Sequence, residues 1–129
     1  MHKVVKAVKA LSDETRLRIL NLLMEKECCV CEVMQALNIS QTRASRNLNI
    51  LYDAGFLKMR REGLWSLYSI DTENKDYLIG LVEAARKALE GHYVVVRDKE
   101  RLRKASRVGP GCARPHNARE SGVSIQGVI

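Results

Sequence analysis

The chain has 129 residues, 46% of them hydrophobic, and a formal net charge of +7; that length suits one small domain with a core of its own, and its high surface-to-volume ratio favours a partner subunit. No window approaches the roughly 20 unbroken apolar residues of a membrane span, and the start Met1-His2-Lys3-Val4-Val5-Lys6 lacks the apolar region of a signal peptide, so a cytoplasmic location with no membrane partner is expected. The charge is uneven, with 8 Lys+Arg against 3 Asp+Glu in residues 97–129 and 14 against 12 in residues 1–96.

Val4, Val5, Val8 and Leu11 recur at helical spacing in a first short segment. Ser12-Asp13-Glu14 then offers a cap and early acidic residues for a second helix. Its Leu17, Ile19, Leu20, Leu22, Leu23 and Met24 are apolar on most sides, which predicts a central place in the core. Val30, Val33, Met34 and Leu37 predict a shorter third helix that ends near Asn38, a residue tolerant of left-handed backbone. Ser40 caps a fourth helix that runs to Ala54 and stops at Gly55. Phe56 to Arg61 and Trp65 to Ile70 are strand-like runs joined through Glu62-Gly63-Leu64, a hairpin pattern in which Trp65 and Tyr68 are packing residues. From Lys75, the stripe Leu78, Leu81, Val82, Ala85 and Leu89 predicts a helix that packs on the core or on another subunit. Tyr93 to Val96 reads as β-prone, Arg97 to Arg107 as helix-capable, and the last twenty or so residues as disordered. The organisation expected is therefore a folded unit over residues 1–92 and a basic extension over residues 93–129.

Helices followed by a hairpin, with a polar and basic helix just before it, is the order of a winged helix-turn-helix, an α-rich (α+β) fold whose recognition helix enters the major groove of double-stranded DNA. On the fourth helix, Ala44, Leu48 and Leu51 share the inward face, leaving Gln41, Thr42, Arg43, Ser45, Arg46 and Asn49 outward. Arginines can read guanine bidentately, Gln and Asn can read adenine, and hydroxyls can contact phosphate. Lys58, Arg60 and Arg61 on the hairpin extend the basic surface, with Asp53 the one acidic residue in the stretch from 40 to 61. A merely solvated helix face is the competing reading, and the adjoining basic hairpin weighs against it.

Cys28, Cys29 and Cys31 lie immediately before these elements. Clustered thiols in a reducing cytosol serve more often as metal ligands or redox groups than as bridges. Residues two apart on an α-helix point about 200 degrees apart, so Cys29 and Cys31 cannot share an ion inside an intact helix, whereas Cys28 and Cys31 can share a face. A site using all three requires an irregular first turn. Three soft thiolates without a carboxylate suit As(III) or Sb(III); tetrahedral zinc would want a fourth ligand, for which Cys112 or a histidine would have to come from elsewhere in the fold. Buried thiols serving only as small hydrophobes are the alternative. His2, His92 and His116 lack mutual metal spacing.

Three motifs together resemble the ArsR/SmtB repressors, in particular the arsenic-responsive ones: Leu11-Ser12-Asp13-Glu14-Thr15-Arg16-Leu17-Arg18-Ile19-Leu20 is similar to the family's second-helix signature, Glu27-Cys28-Cys29-Val30-Cys31-Glu32-Val33 to its E-L-C-V-C-D-L box, and Ser40-Gln41 through Ser45-Arg46 to the start of its recognition helix. The resemblance covers about residues 5 to 90 and implies a non-enzymatic homodimer that represses transcription at an operator and is released by As(III) or Sb(III). It also implies that Cys29 and Cys31 are the C-V-C ligands, Gly55-Phe56-Leu57 leads into the wing, and the helix from about Lys75 is the dimer helix. The family's third cysteine falls on Met34 here, so the third ligand is Cys28 or Cys112 or is missing. The cysteines before the box that mark cadmium and lead sensors are absent, as are the Asp/His pairs of zinc sensors on the last helix. Two rivals stand: a thiol redox or persulfide-responsive repressor on the same fold, and a thiol oxidoreductase built on Cys28-x-x-Cys31, whose motif wants a preceding strand where this chain has an apolar helix.

Overall fold

In the computed structural model, residues 1–73 and 76–108 are described. The chain runs α1 (His2–Leu11), α2 (Glu14–Glu25), α3 (Val30–Leu37), α4 (Gln41–Asp53), β1 (Leu57–Glu62), β2 (Trp65–Ile70), α5 (Asp76–Ala88) and α6 (Tyr93–Lys104). The Asp13 carboxylate accepts the Arg16 backbone N–H at 3.0 Å and starts α2, whose Ile19, Leu20, Leu22 and Leu23 are buried on nearly every side. A helix with that much apolar surface has to be central, and α1, α3, α4, α5, α6 and β2 all pack on it.

Asn38, at φ 58°, ends α3 in the left-handed conformation and turns the chain into Ser40, whose Oγ accepts the Arg43 N–H at 3.2 Å to start α4. This α3–turn–α4 pair is the helix-turn-helix. Gly55 closes α4 at φ +96°, and a Cβ there would stand 3.2 Å from Leu78 of α5, so the position needs glycine for both its backbone and its space. Phe56 and Leu57 then enter the core and lead into the antiparallel hairpin, registered from Leu57 opposite Ile70 to Glu62 opposite Trp65. The result is the winged helix-turn-helix expected from the element order.

One open alternative is resolved and one reading changes. The stripe on α5 is largely spent inside the protomer, because Leu78 and Val82 are buried in the core with Leu81 packed beside them. Apolar surface left outward includes Val4, Val5 and Val8 on α1 and Tyr77 on α5. The segment from Tyr93, read as β-prone and then helix-capable, is one helix started by His92, whose Nδ1 accepts the Val94 N–H at 3.2 Å. Local β-propensity of Tyr93-Val94-Val95-Val96 is overridden by burial of Val95 and Leu102 one helical face apart.

Helix α6 packs on α2 and α3, so the sequence boundary after residue 92 divides residues that share a core. Asp98, 1% exposed, receives Arg18 Nε and Nη2, both at 2.8 Å, and Arg101 Nη2 at 3.0 Å; Arg101 Nε also donates to the Ala36 carbonyl at 2.7 Å. A carboxylate this buried is tolerable only because two guanidiniums satisfy it. The expected disorder, His116 and Cys112 fall outside the described residues. Among the described residues, no helix is long and apolar enough to cross a membrane.

Removing the Asp98 carboxylate leaves Arg18 and Arg101 uncompensated. Asp98→Ala should lower the unfolding free energy by about 3 kcal/mol, at the lower end for a buried pair because Arg18 keeps some water contact. Urea denaturation followed by circular dichroism measures it, and a loss no larger than that of an exposed alanine substitution would show that α6 is not anchored there.

Candidate nucleic-acid interface and thiol site

Burial of Ala44, Leu48 and Leu51 turns the opposite side of α4 to solvent. Thr42, Arg43, Arg46 and Asn49 are exposed, and Gln41 and Ser45 are half-buried. The two arginines differ. Arg43 Nη2 donates to Thr15 Oγ1 on α2 at 3.0 Å, which draws its guanidinium back toward the body, whereas Arg46 has no hydrogen-bond or ion-pair partner among the described residues. The helix is held in place by a residue that the sequence pattern did not single out: Asn47, 6% exposed, accepts Arg16 Nη1 at 2.9 Å and donates to the Arg43 carbonyl at 2.9 Å, while Arg16 Nε donates to the Ala10 carbonyl at 2.6 Å. One guanidinium thus ties the end of α1 to the middle of α4. A polar residue on the inward helix face was the available signal.

On the hairpin, Lys58, Arg60 and Arg61 are exposed as expected. Arg60 is not open to a phosphate in the way the other two are. Its Nε sits 3.2 and 3.1 Å from the two carboxylate oxygens of Glu27, and its Nη2 contacts both Glu27 and, at 2.8 Å, Glu62. Hydrogen bonding to Arg60 holds the Glu27 carboxyl below its ordinary range, so the pair stays ionised at neutral pH.

The three clustered thiols separate into two environments. Cys28 is extended and pairs with the wing: its N–H donates to the Tyr68 carbonyl at 3.0 Å and its carbonyl accepts the Tyr68 N–H at 2.8 Å. Successive residues of an extended chain point to opposite faces. Cys28 therefore enters the main core, where its Sγ lies 3.4 Å from the Lys26 carbonyl, and Cys29 joins Cys31, Leu67 and Trp65 in a second cluster. Burial, reinforced by the Glu32 carboxylate, pushes the Cys28 thiol up to about 12, so it is a neutral core side chain at physiological pH. The expectation that Cys28 and Cys31 share a helical face fails because α3 begins at Val30, after Cys28.

The same helix start brings the other two thiols together. Cys29 is the N-cap, with φ −88° and ψ 172°, so the 200-degree constraint of an intact helix does not apply, and its Sγ lies 3.1 Å from that of Cys31. Both residues are buried, at 0% and 4% exposure. Among the described residues no group of three or more His, Cys, Asp or Glu is placed to hold one metal ion. Met34, where the resemblance puts a third thiol, is half-buried against the main core.

Three residues missed by the sequence reading frame the pair. Glu32, 2% exposed, accepts the Cys29 N–H at 3.0 Å and Arg107 Nε at 3.2 Å on one oxygen and Lys26 Nζ at 2.9 Å on the other. It is the third helical residue reaching back to the cap, a capping-box arrangement that a cysteine at the cap position disguised. Ser106 exchanges two hydrogen bonds with Gln35, at 2.7 and 3.2 Å, and its carbonyl lies 3.9 Å from Cys31 Sγ. The stretch after α6 thus crosses the first turns of α3 directly over the thiols. Arg107 lies within electrostatic reach of Cys29.

Comparison with known proteins agrees with this architecture. The family described as bacterial regulatory protein, arsR family, matches residues 13–59, from the α2 cap into β1. An HTH-type transcriptional regulator of Methanocaldococcus jannaschii whose function is uncharacterised is 42% identical over 82 residues, 63% of this chain and 92% of that protein. The arsenic resistance transcriptional regulator ArsR1 of Pseudomonas putida is 41% identical over 86 residues, 63% of this chain and 67% of that protein. Among solved structures, the homodimeric winged helix-turn-helix DNA-binding domain from Mycobacterium bovis superposes with a TM-score of 0.60 at 31% identity, covering 70% of this chain and 82% of that one. These are regulators rather than enzymes, and no βαβ unit precedes the thiols as an oxidoreductase motif would require, since an apolar helix stands there. The helix-turn-helix, the wing and the matched stretch coincide, and the chain belongs to the ArsR family of bacterial regulatory proteins.

Proposed function

We propose that the chain is a homodimeric transcriptional repressor that leaves its operator when As(III) or Sb(III) binds Cys29 and Cys31. The observation that carries this reading is the 3.1 Å approach of two buried thiols at the foot of a DNA-binding fold. Two soft sulfur donors select thiophilic ions over hard cations. The pair lies at the N-terminus of α3, within electrostatic reach of Arg107. A third donor would be Cys112, which follows the covering stretch by a short tether: Val108 to Cys112 spans at most about 14 Å when extended. Cys28, buried in the core as a neutral thiol, is not part of the proposed ligand set. The same relatives and fold support DNA as the partner, with Gln41, Thr42, Ser45, Arg46 and Asn49 at base edges or phosphates and Lys58 and Arg61 on the backbone beside the groove. Arg43 and Arg60 serve this surface at the cost of their contacts with Thr15 and Glu27. The exposed valines of α1 and the outer part of α5 supply an apolar face for the second subunit.

Arg46→Ala should weaken operator binding by about 1 to 3 kcal/mol without loss of helix content, and wild-type affinity should fall steeply with added salt as counterions are released. Fluorescence anisotropy of labelled operator reads both, and unchanged affinity would remove α4 from the interface. Val8→Glu changes a residue that is 51% exposed in the protomer, so the fold should survive while light scattering reports loss of a species of twice 14.6 kDa. A wild-type monomer would refute the dimer.

Cys29→Ser and Cys31→Ser should bind operator normally and resist release by arsenite, while Cys28→Ala should be released at the wild-type concentration. Titration of the reduced proteins with arsenite, antimonite, Cd(II), Zn(II) and peroxide against labelled operator separates the readings. Release by peroxide but not by metalloid would replace this reading with the redox-responsive one.

A further inference from the structure

The thiol pair and the wing are one packed unit, and this extends the metalloid reading above, on which it rests. Cys28 is bridged to Tyr68 by backbone hydrogen bonds in both directions, an isolated antiparallel bridge that lays the residues before α3 beside β2. Alternation then sorts the side chains. Cys28 and Tyr68 face the main core, while Cys29 meets Leu67, 1% exposed, and Trp65 on the other face, together with Cys31. One residue before the bridge, Glu27 grips Arg60 of β1 through both carboxylate oxygens. The Trp65 indole N–H is buried in this cluster without a hydrogen-bond partner among the described residues, so the packing described there is set by contact rather than by polar anchoring.

By contrast, α4 is held from its other side, by Arg16 through Asn47 and by Thr15 through Arg43. A ligand held by both sulfurs adds volume to a buried cluster, and the side chains packed in that cluster are Leu67 and Trp65 of β2. Close-packed clusters transmit such a displacement instead of absorbing it.

We propose that occupancy of Cys29 and Cys31 acts on DNA through the wing: Leu67 and Trp65 are coupling residues that carry the displacement into the hairpin, moving Lys58 and Arg61 out of register with the duplex backbone while α4 keeps its seat. Leu67 and Trp65 do not touch the DNA or bind the ion in this scheme; they join the two sites, and the wing is the element that arsenite biases.

The readout is the ratio of operator dissociation constants with and without saturating arsenite, measured by anisotropy on the reduced full-length protein, beside arsenite binding measured independently by near-ultraviolet thiolate absorption. For the wild type, a ratio on the order of 5 to 150 is expected, and Leu67→Ala should bring it to within about threefold of unity while arsenite still binds. Trp65 is the only tryptophan in the chain. Its emission should shift on arsenite addition to the DNA-free wild type and stay constant in the Cys29→Ser, Cys31→Ser double variant.

Glu27→Gln loosens an exposed ion pair without opening the core, so it serves if Leu67→Ala fails to fold; it should lower the ratio in the same direction. A purely structural role for Leu67 would reduce stability or arsenite affinity and leave the ratio alone. Wild-type ratios in both variants, or a Trp65 emission indifferent to bound arsenite, overturn the relay while the metalloid reading stands. Failure of arsenite to release the wild type overturns both.

Discussion

The backbone pairing of Cys28 with Tyr68, at 3.0 and 2.8 Å, holds the chain extended up to Cys29 and thereby decides where α3 begins. Were the helix to start three residues earlier, Cys29 and Cys31 would point about 200 degrees apart and could not meet. Starting it at Val30 leaves Cys29 in extended backbone, from which its sulfur swings to within 3.1 Å of Cys31. The same alternation sends Cys28 into the main core and Cys29 against Leu67, so a single pair of hydrogen bonds both assembles the thiol pair and separates it from its neighbour. Glu32 fixes the arrangement from below by accepting the Cys29 N–H.

Two buried carboxylates bind the C-terminal part of the described chain to the helix-turn-helix. Asp98 joins α6 to α2 through Arg18, and Glu32 receives Arg107 beyond the end of α6. Both are nearly inaccessible, and each is met by two cationic groups, Arg18 and Arg101 in one case and Lys26 and Arg107 in the other. Burying an ion in this way contributes little net attraction, but leaving either carboxylate unmatched would be costly, so the pairing discriminates strongly against other placements of α6. The consequence for the site is that the stretch carrying Ser106 lies over Cys31 as part of the fold.

Basic residues that look alike in sequence have been given different work. Arg16 is structural, tying α1 to α4 through Asn47. Arg43 reaches back to Thr15 and Arg60 is taken up by Glu27 and Glu62, whereas Arg46 projects from the exposed face of α4. Charge counting over residues 40 to 61 treats all of them as equal contributors to a phosphate-binding surface. In the proposed interface, Arg46, Lys58 and Arg61 are the cations with no carboxylate partner among the described residues, whereas Arg43 and Arg60 would first have to leave their contacts within the protomer.

Much of the architecture is legible in the sequence because it depends on short-range rules. Capping by Asp13 and Ser40, the left-handed stop at Asn38, the glycine stop at Gly55 and the hairpin around Gly63 each follow from residues within a few positions of one another. The helical stripe that orients α4 obeys the same local periodicity. What the sequence alone did not determine are the relations between distant segments. Tyr68 pairs with Cys28 forty residues away, Asp98 with Arg18 and Arg107 with Glu32 across the whole body, and each partner is chosen by burial and charge compensation rather than by spacing. The resemblance already implied Cys29 with Cys31; what only the tertiary structure decided is that Cys28 stands apart from them, because its backbone pairing with Tyr68 places neighbouring side chains on opposite faces.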